Sequence, residues 1–311
     1  MKRLCLLAVL TSCASAPPPW RAPELQELEV VQLAGEMSFT EGPVWVPAQD
    51  ALLFSDIPAS RLMRWSEAEG LSVHAESENP NGNLLDLEGR LLTCRHGARD
   101  LVRTEADGSL RVLASHYEGA RFNSPNDVAV DSDGALWFTD PPWGLGDWEA
   151  ERELDGHWVY RLEPESGELR RVLDHTIMPN GIAFAPDESV LYVADTGGMP
   201  RLAEELRDAP KTLSAYAVLD GERLDPVPLW RVETVCDGMA VDEHGNVYAT
   251  GPTITVWSPE GELLGEIEVP EQPANVCFGG AEYRTLYITA RTGLYAVELD
   301  VRGHRPRGAR W

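Results

Sequence analysis

Six residues of this chain share a chemistry and a phase. Glu41, Asn81, Asn126, Asn180, Asp237 and Asn275 each carry a side-chain oxygen, and each opens a short apolar run: EGPVWV, NGNLLDL, NDVAV, NGIAF, DGMAV and NVCF. Carboxylate and amide oxygens are what a hard cation takes, and calcium gathers about six to eight of them. Glu41 and Asp237 offer two negative charges, enough for one divalent ion, and Asn126 and Asn180 add neutral oxygens. The column holds no histidine or cysteine, which disfavours zinc and copper. Any one of these residues alone reads as a turn former, because Asn and Asp bond their own backbone. Asn81 and Asn275 fit that plainer role, as turn or channel-lining residues. Six in phase need a scaffold that brings them together.

The intervals between them are 40, 45, 54, 57 and 38 residues. Each repeat runs from its polar start through an apolar strand and a polar turn to a second strand: LLFSDI, LLTCRHG, LWFTDPP, LYVADTG, VYATGP and LYITAR. Outer strand-turn-strand segments follow, such as RLMRWSEAEGLSVHA and RLEPESGELRRVL. Strands at this period predict an all-β, six-bladed β-propeller, one four-stranded sheet per repeat, around a central metal-binding channel. LQELEVVQLAGEM, ahead of Glu41, is expected to give the last blade its outer strand and so close the ring. RLAEELRD, Arg201 to Asp208, is expected to form one short helical turn in a loop. The second strands should end on the face where the first begin, making Asp56, His96, Asp140 and Asp195 a candidate wall. Asp140 and Asp195 also fit a capping role. Trp143 and Trp148 lie in a long loop above that face.

The chain has 311 residues, 43% of them apolar, and a net charge of −25. Such a surface argues against nucleic acid, which needs clustered Lys and Arg, and against a basic patch on anionic lipid. Residues 1–20 are read apart from the propeller, which is assigned 21–311. MKR followed by LCLLAVL has the layout of an export signal and is too short to span a bilayer. Leu10-Thr11-Ser12-Cys13 resembles a bacterial lipobox with Cys13 as the lipidation site; cleavage after Ala14-Ser15-Ala16 is the alternative. APPPW then forms a stiff tether. The expected location is the periplasmic face of an outer membrane, otherwise periplasmic or secreted. Cys94, Cys236 and Cys277 are scattered and suggest neither a zinc site nor a disulfide framework.

EGPVW (41–45), RFNSPND (121–127), LWFTDPPWG (136–144), MPNGIAF (178–184), LYVADTG (191–197) and CDGMAVDEHGNVY (236–248) together resemble the senescence marker protein/gluconolactonase (regucalcin-like) family, in its bacterial gluconolactonase branch. The likeness spans about residues 30 to 300. It implies one catalytic divalent metal, often calcium, with zinc or manganese as alternatives. Its ligands would be Glu41, Asn126, Asn180 and Asp237, the four that the column had already singled out. It implies hydrolysis of sugar lactones. Asp237 would then ligate the ion and act as general base, with Asp127 behind Asn126. Arg121, Asn123, Asp127 and His96 are the expected substrate-binding residues. Two alternatives stand beside this expectation: an organophosphate or phosphotriester hydrolase on the same site, and a noncatalytic envelope-bound scaffold. No GxSxG and no Ser-His-Asp order is present, so a covalent route has no support.

Overall fold

The computed structural model describes residues 20–311; the expected export signal, Cys13 and most of the expected tether lie outside the described residues. Six antiparallel sheets follow one another along the chain and form the blades of a propeller. Their innermost strands begin at Thr40, Pro80, Val128, Pro179, Met239 and Pro273. Burial falls from axis to rim. In blade 1 the inner strand Thr40–Val46 is buried throughout, whereas the outer strand Gly70–Glu76 is mostly exposed. Blade-to-blade packing makes the core: Trp45 of blade 1 stacks on Tyr287 of blade 6 with ring centroids 5.5 Å apart.

The ring closes as expected. Val31–Ala34 pairs antiparallel with Gly293–Glu298, so both ends of the chain share blade 6. This closure protects the edges that an open sheet would expose. At the far end of the axis the inner hairpins turn on Asp86, Asp131 and Asp242. Each accepts two backbone N–H groups of its own turn, such as Asp133 N and Ala135 N on Asp131 Oδ1. The glycine three residues on sits at positive φ, +80° to +89°, which a side chain would oppose.

The short turn expected near Arg201 is a 3-10 turn at Glu204–Leu206. Two small elements depart from the sequence expectation. The long loop of blade 3 contains a helical turn, Trp148–Glu151. Asp147 holds its start, with Ala150 N donating to Asp147 Oδ1 while Asp147 N donates to Glu151 Oε1. Four residues are too few to show a 3.6-residue period. An extra hairpin pairs His116–Tyr117 with Ala120–Arg121.

The axis is where the fold is tightest. Adjacent inner strands converge until their first residues touch backbone to backbone. Gly82 N donates to Asn126 O at 2.8 Å, Gly181 N to Asp237 O at 2.9 Å, and Gly238 N to Ala274 O at 2.8 Å. A Cβ on Gly42 would lie 2.0 Å from Asn81 O, and one on Gly181 would lie 2.4 Å from Asp237 O. The EG, NG and DG pairs of the sequence are therefore crossing points between blades as well as strand starts. Gly181→Ala is expected to destabilise the fold by about 1–3 kcal/mol, because rigid backbone must move to admit the methyl. An unchanged denaturation midpoint would contradict this account of the axis.

Candidate active site

A cavity of about 450 Å3 opens at the end of the axis where the inner strands start. Glu41, Asn81, Asn126, Asn180 and Asp237 line it, so five blades contribute the expected oxygen-bearing side chain. The sixth, Asn275, lies just behind and donates from Nδ2 to Glu41 Oε2 at 3.0 Å. Gly42 N also donates to that oxygen, at 2.6 Å. Asn180 Nδ2 donates to Asp237 Oδ1 at 2.6 Å and to Thr196 Oγ1 at 3.0 Å.

The two acids sit in an electrostatically strained floor. Burial pushes the Glu41 carboxyl well above the usual carboxylate range, and the nearby Asp237 charge pushes the same way. Burial raises Asp237 to about 6, against the pull of the Asn180 amide and the Arg291 guanidinium. Asp127 stands one place after Asn126, where four other blades have glycine. It lies beneath the floor, accepting from Val128 N and Ile182 N, and its burial raises it to about 7. It borders a smaller void of about 160 Å3 below the floor, as Asn275 does. Its charge adds to the repulsion on Glu41.

His96 reaches the cavity. Its Nε2 lies 2.9 Å from Asn81 Nδ2 and 3.5 Å from Asn126 Nδ2. Burial lowers its pKa to about 4, so the ring is neutral at ordinary pH. With its proton on Nδ1, Nε2 accepts from the amides and leaves both amide oxygens free of that bond.

The expected wall of Asp56, His96, Asp140 and Asp195 needs correction. Each aspartate is the last residue of its second strand and turns back into its own blade. Asp56 accepts from Ser38 N and Phe39 N, Asp140 from Asn123 N and Ser124 N, and Asp195 from Ile177 N and Met178 N. His96 comes one residue after its strand. That next position is the one that lines the cavity: Ile57, His96, Thr196, Gly251 and Arg291. The acids hold the chain, and the residues after them face the ligand space. Extending the repeat alignment by one place would have found Arg291 and Thr196.

Arg121 and Asn123 are not brought to the cavity wall. Arg121 donates from its guanidinium to Ala98 O, and its backbone N–H meets Glu153. Asn123 is fully buried, and its Nδ2 bonds Asp140 O, Asp140 Oδ2 and Gly156 O. Its Oδ1 has no hydrogen-bond partner among the described residues. Of the two loop tryptophans, Trp143 lines the cavity, whereas Trp148 lies under the Arg201 guanidinium. Phe39, Met199, Lys211 and Gln272 also line the cavity and carried no repeat signal.

Fold and site define the class: a six-bladed propeller with a buried pocket of carboxylates and amides at one end of its axis. Residues 39–292 match the family described as SMP-30/Gluconolactonase/LRE-like region, and the chain belongs to that family. It is 32% identical over 304 residues to a gluconolactonase of Zymomonas mobilis subsp. mobilis, covering 87% of this chain and 81% of that protein. The solved structure of a gluconolactonase from Xanthomonas campestris is 34% identical with a TM-score of 0.77, over 92% and 96% of the two chains. A calcium-binding regucalcin from Agrobacterium tumefaciens shares the fold at 20% identity and a TM-score of 0.69, over 94% and 98%.

The Asp140 cap fixes the segment that leads into Asn126. Asp140→Asn puts an N–H donor among buried N–H groups and is expected to cost about 1–3 kcal/mol. Chemical denaturation measures it; equal midpoints for variant and wild type would remove Asp140 from this role.

Proposed function

We propose that this chain hydrolyses sugar lactones with one divalent cation, calcium being the ion its donor set suits. The observation that carries the proposal is the meeting of buried Glu41 and part-buried Asp237 at the axis, amid amide side chains and with their ionised forms disfavoured. Among the described residues no three of His, Cys, Asp and Glu come together as a metal site. The donors are two carboxylates and the amides of Asn126 and Asn180, a set that suits a hard cation better than a soft one. A divalent charge between Glu41 and Asp237 would favour the ionised carboxylates that burial disfavours and offset the repulsion of Asp237 on Glu41. The gluconolactonases among its relatives support the substrate class. Neither a phosphotriester substrate nor a noncatalytic scaffold has a specific observation in its favour. Export and lipidation at Cys13 are proposed from the leader sequence alone.

When bound, the cation supplies a Lewis-acidic charge for the oxyanion that forms at the lactone carbonyl. The protein's own groups do the proton work. Asp237, whose carboxyl pKa is raised by burial in the metal-free protein, would take a proton from the attacking water. Asn180 fixes the carboxylate by holding Oδ1. As the acyl–oxygen bond breaks, that proton passes to the departing ring oxygen, giving the open hydroxy acid. Neutral His96 holds Asn81 and Asn126 and adds no charge to compete with the cation.

Chelation is expected to abolish hydrolysis of an aldonolactone, and added calcium to restore it. Asp237→Ala should lower kcat/KM by about 100-fold or more. Activity that survives both changes would exclude this mechanism. A pH dependence follows from Asp237. Its folded pKa, about 6, lies above the ordinary 3.8, so in metal-free protein its ionisation removes stability as pH rises between those values. A cation must displace that proton at low pH and meets none above it. The gain in melting temperature from added calcium is therefore expected to grow from pH 5 to pH 8. A gain that shrinks over this range would contradict the assignment.

A further inference from the structure

Lysine is almost absent from this chain. Its 26 basic residues comprise 24 arginines and two lysines, Lys2 and Lys211, so Lys211 is the only lysine among the described residues. It lies on the wall of the active-site cavity, on the blade 4 side with Thr196 and Met199. The chain carries 51 acidic residues, yet among the described residues no carboxylate or other acceptor pairs with the Lys211 ammonium. An exposed lysine is ordinarily a solubility residue. This one faces a cavity of about 450 Å3, a size suited to a small ligand.

Its backbone is held in place. Lys211 directly precedes the third strand of blade 4, Thr212–Leu219, and its carbonyl accepts from Thr234 N at 3.0 Å. The preceding loop packs against a glycine pair. Gly198 N donates to Ala209 O at 2.8 Å, and a Cβ on Gly197 would lie 2.3 Å from Pro210 O. The side chain therefore leaves a held backbone at the cavity wall.

The other wall cation is differently employed. Arg291 is the cation that opposes the rise in the Asp237 pKa. Its guanidinium donates to Gln272 Oε1 at 2.8 Å and lies over the Phe39 ring at 5.4 Å. Arg291 is thus engaged by its surroundings, while Lys211 keeps its donors for a ligand.

On the reading that the site hydrolyses sugar lactones, we infer that Lys211 selects lactones bearing an anionic oxygen group remote from the reacting carbonyl. A carboxylate, phosphate or sulfonate shares the chemistry a lysine ammonium recognises. Lys211 is a specificity residue here and takes no part in bond breaking. An interaction made equally with bound substrate and transition state acts mainly on KM.

The test compares the full chain with Lys211→Met and Lys211→Arg on three lactones of one ring: glucono-lactone, its C6 phosphate and its C6 carboxylate. Wild type is expected to favour at least one anionic lactone by tenfold or more in kcat/KM. Lys211→Met should cut that ratio by tenfold or more, chiefly through KM, and Lys211→Arg should restore most of it. High salt should erode the ratio in wild type, since the contact is exposed. The two anionic arms separate carboxylate from phosphate recognition. If wild type hydrolyses glucono-lactone but shows no anionic preference, or Lys211→Met leaves the ratio unchanged, the inference falls while the lactonase reading stands. If no lactone is hydrolysed, both fall.

Discussion

Everything at the active end of this molecule follows from crowding at the axis. Six inner strands converge there, and three neighbouring pairs are joined by backbone hydrogen bonds. At five of the six polar starts the residue that follows is small or finds an unusual place. Gly42, Gly82, Gly181 and Gly238 take the first course, and Asp127 takes the second by burying its carboxylate under the floor. The same convergence turns the preceding side chains toward one cavity. A narrow axis thus explains both the glycines and the ring of oxygens beside them.

That ring is costly without a counter-charge. Glu41 and Asp127 are buried and Asp237 is partly so, and each is harder to ionise as a result. Burial of like charges usually signals a function for which the strain is useful. Here a bound cation, as proposed, would offset that strain. The amides of Asn180 and Asn275 steady the two carboxylates, so the donors stand ready before any ligand arrives. The rim is built differently, from residues just beyond the second strands and from the Lys211 side of blade 4. On the proposed function the floor would carry the chemistry, and the rim would face the part of the substrate remote from its carbonyl.

Much of this was legible in the chain. The repeat, the ring closure through Val31–Ala34 and the six-residue column all rest on local pattern: alternation, turn chemistry and spacing. Less legible was the direction of side chains at strand ends, where one residue separates a cap from a pocket wall. Asp56, Asp140 and Asp195 looked like companions of His96, but they sit one place earlier and bond their own blades. Arg121 and Asn123 looked accessible in sequence, yet the loop of blade 3 packs over them. Nothing in local pattern distinguishes a polar residue that holds a loop from one that meets a ligand.

The sequence by itself determined the architecture and the oxygen column, because periodic burial and turn residues act over a few positions and repeat six times. Only the tertiary structure decided how the members of that column divide their work. Asn275 supports Glu41 from behind, Asn81 and Asn126 meet His96, and Asn180 grips Asp237. These pairings join residues up to 234 positions apart. They depend on the angle at which neighbouring blades cross, and that angle is a property of the closed ring that no single repeat contains.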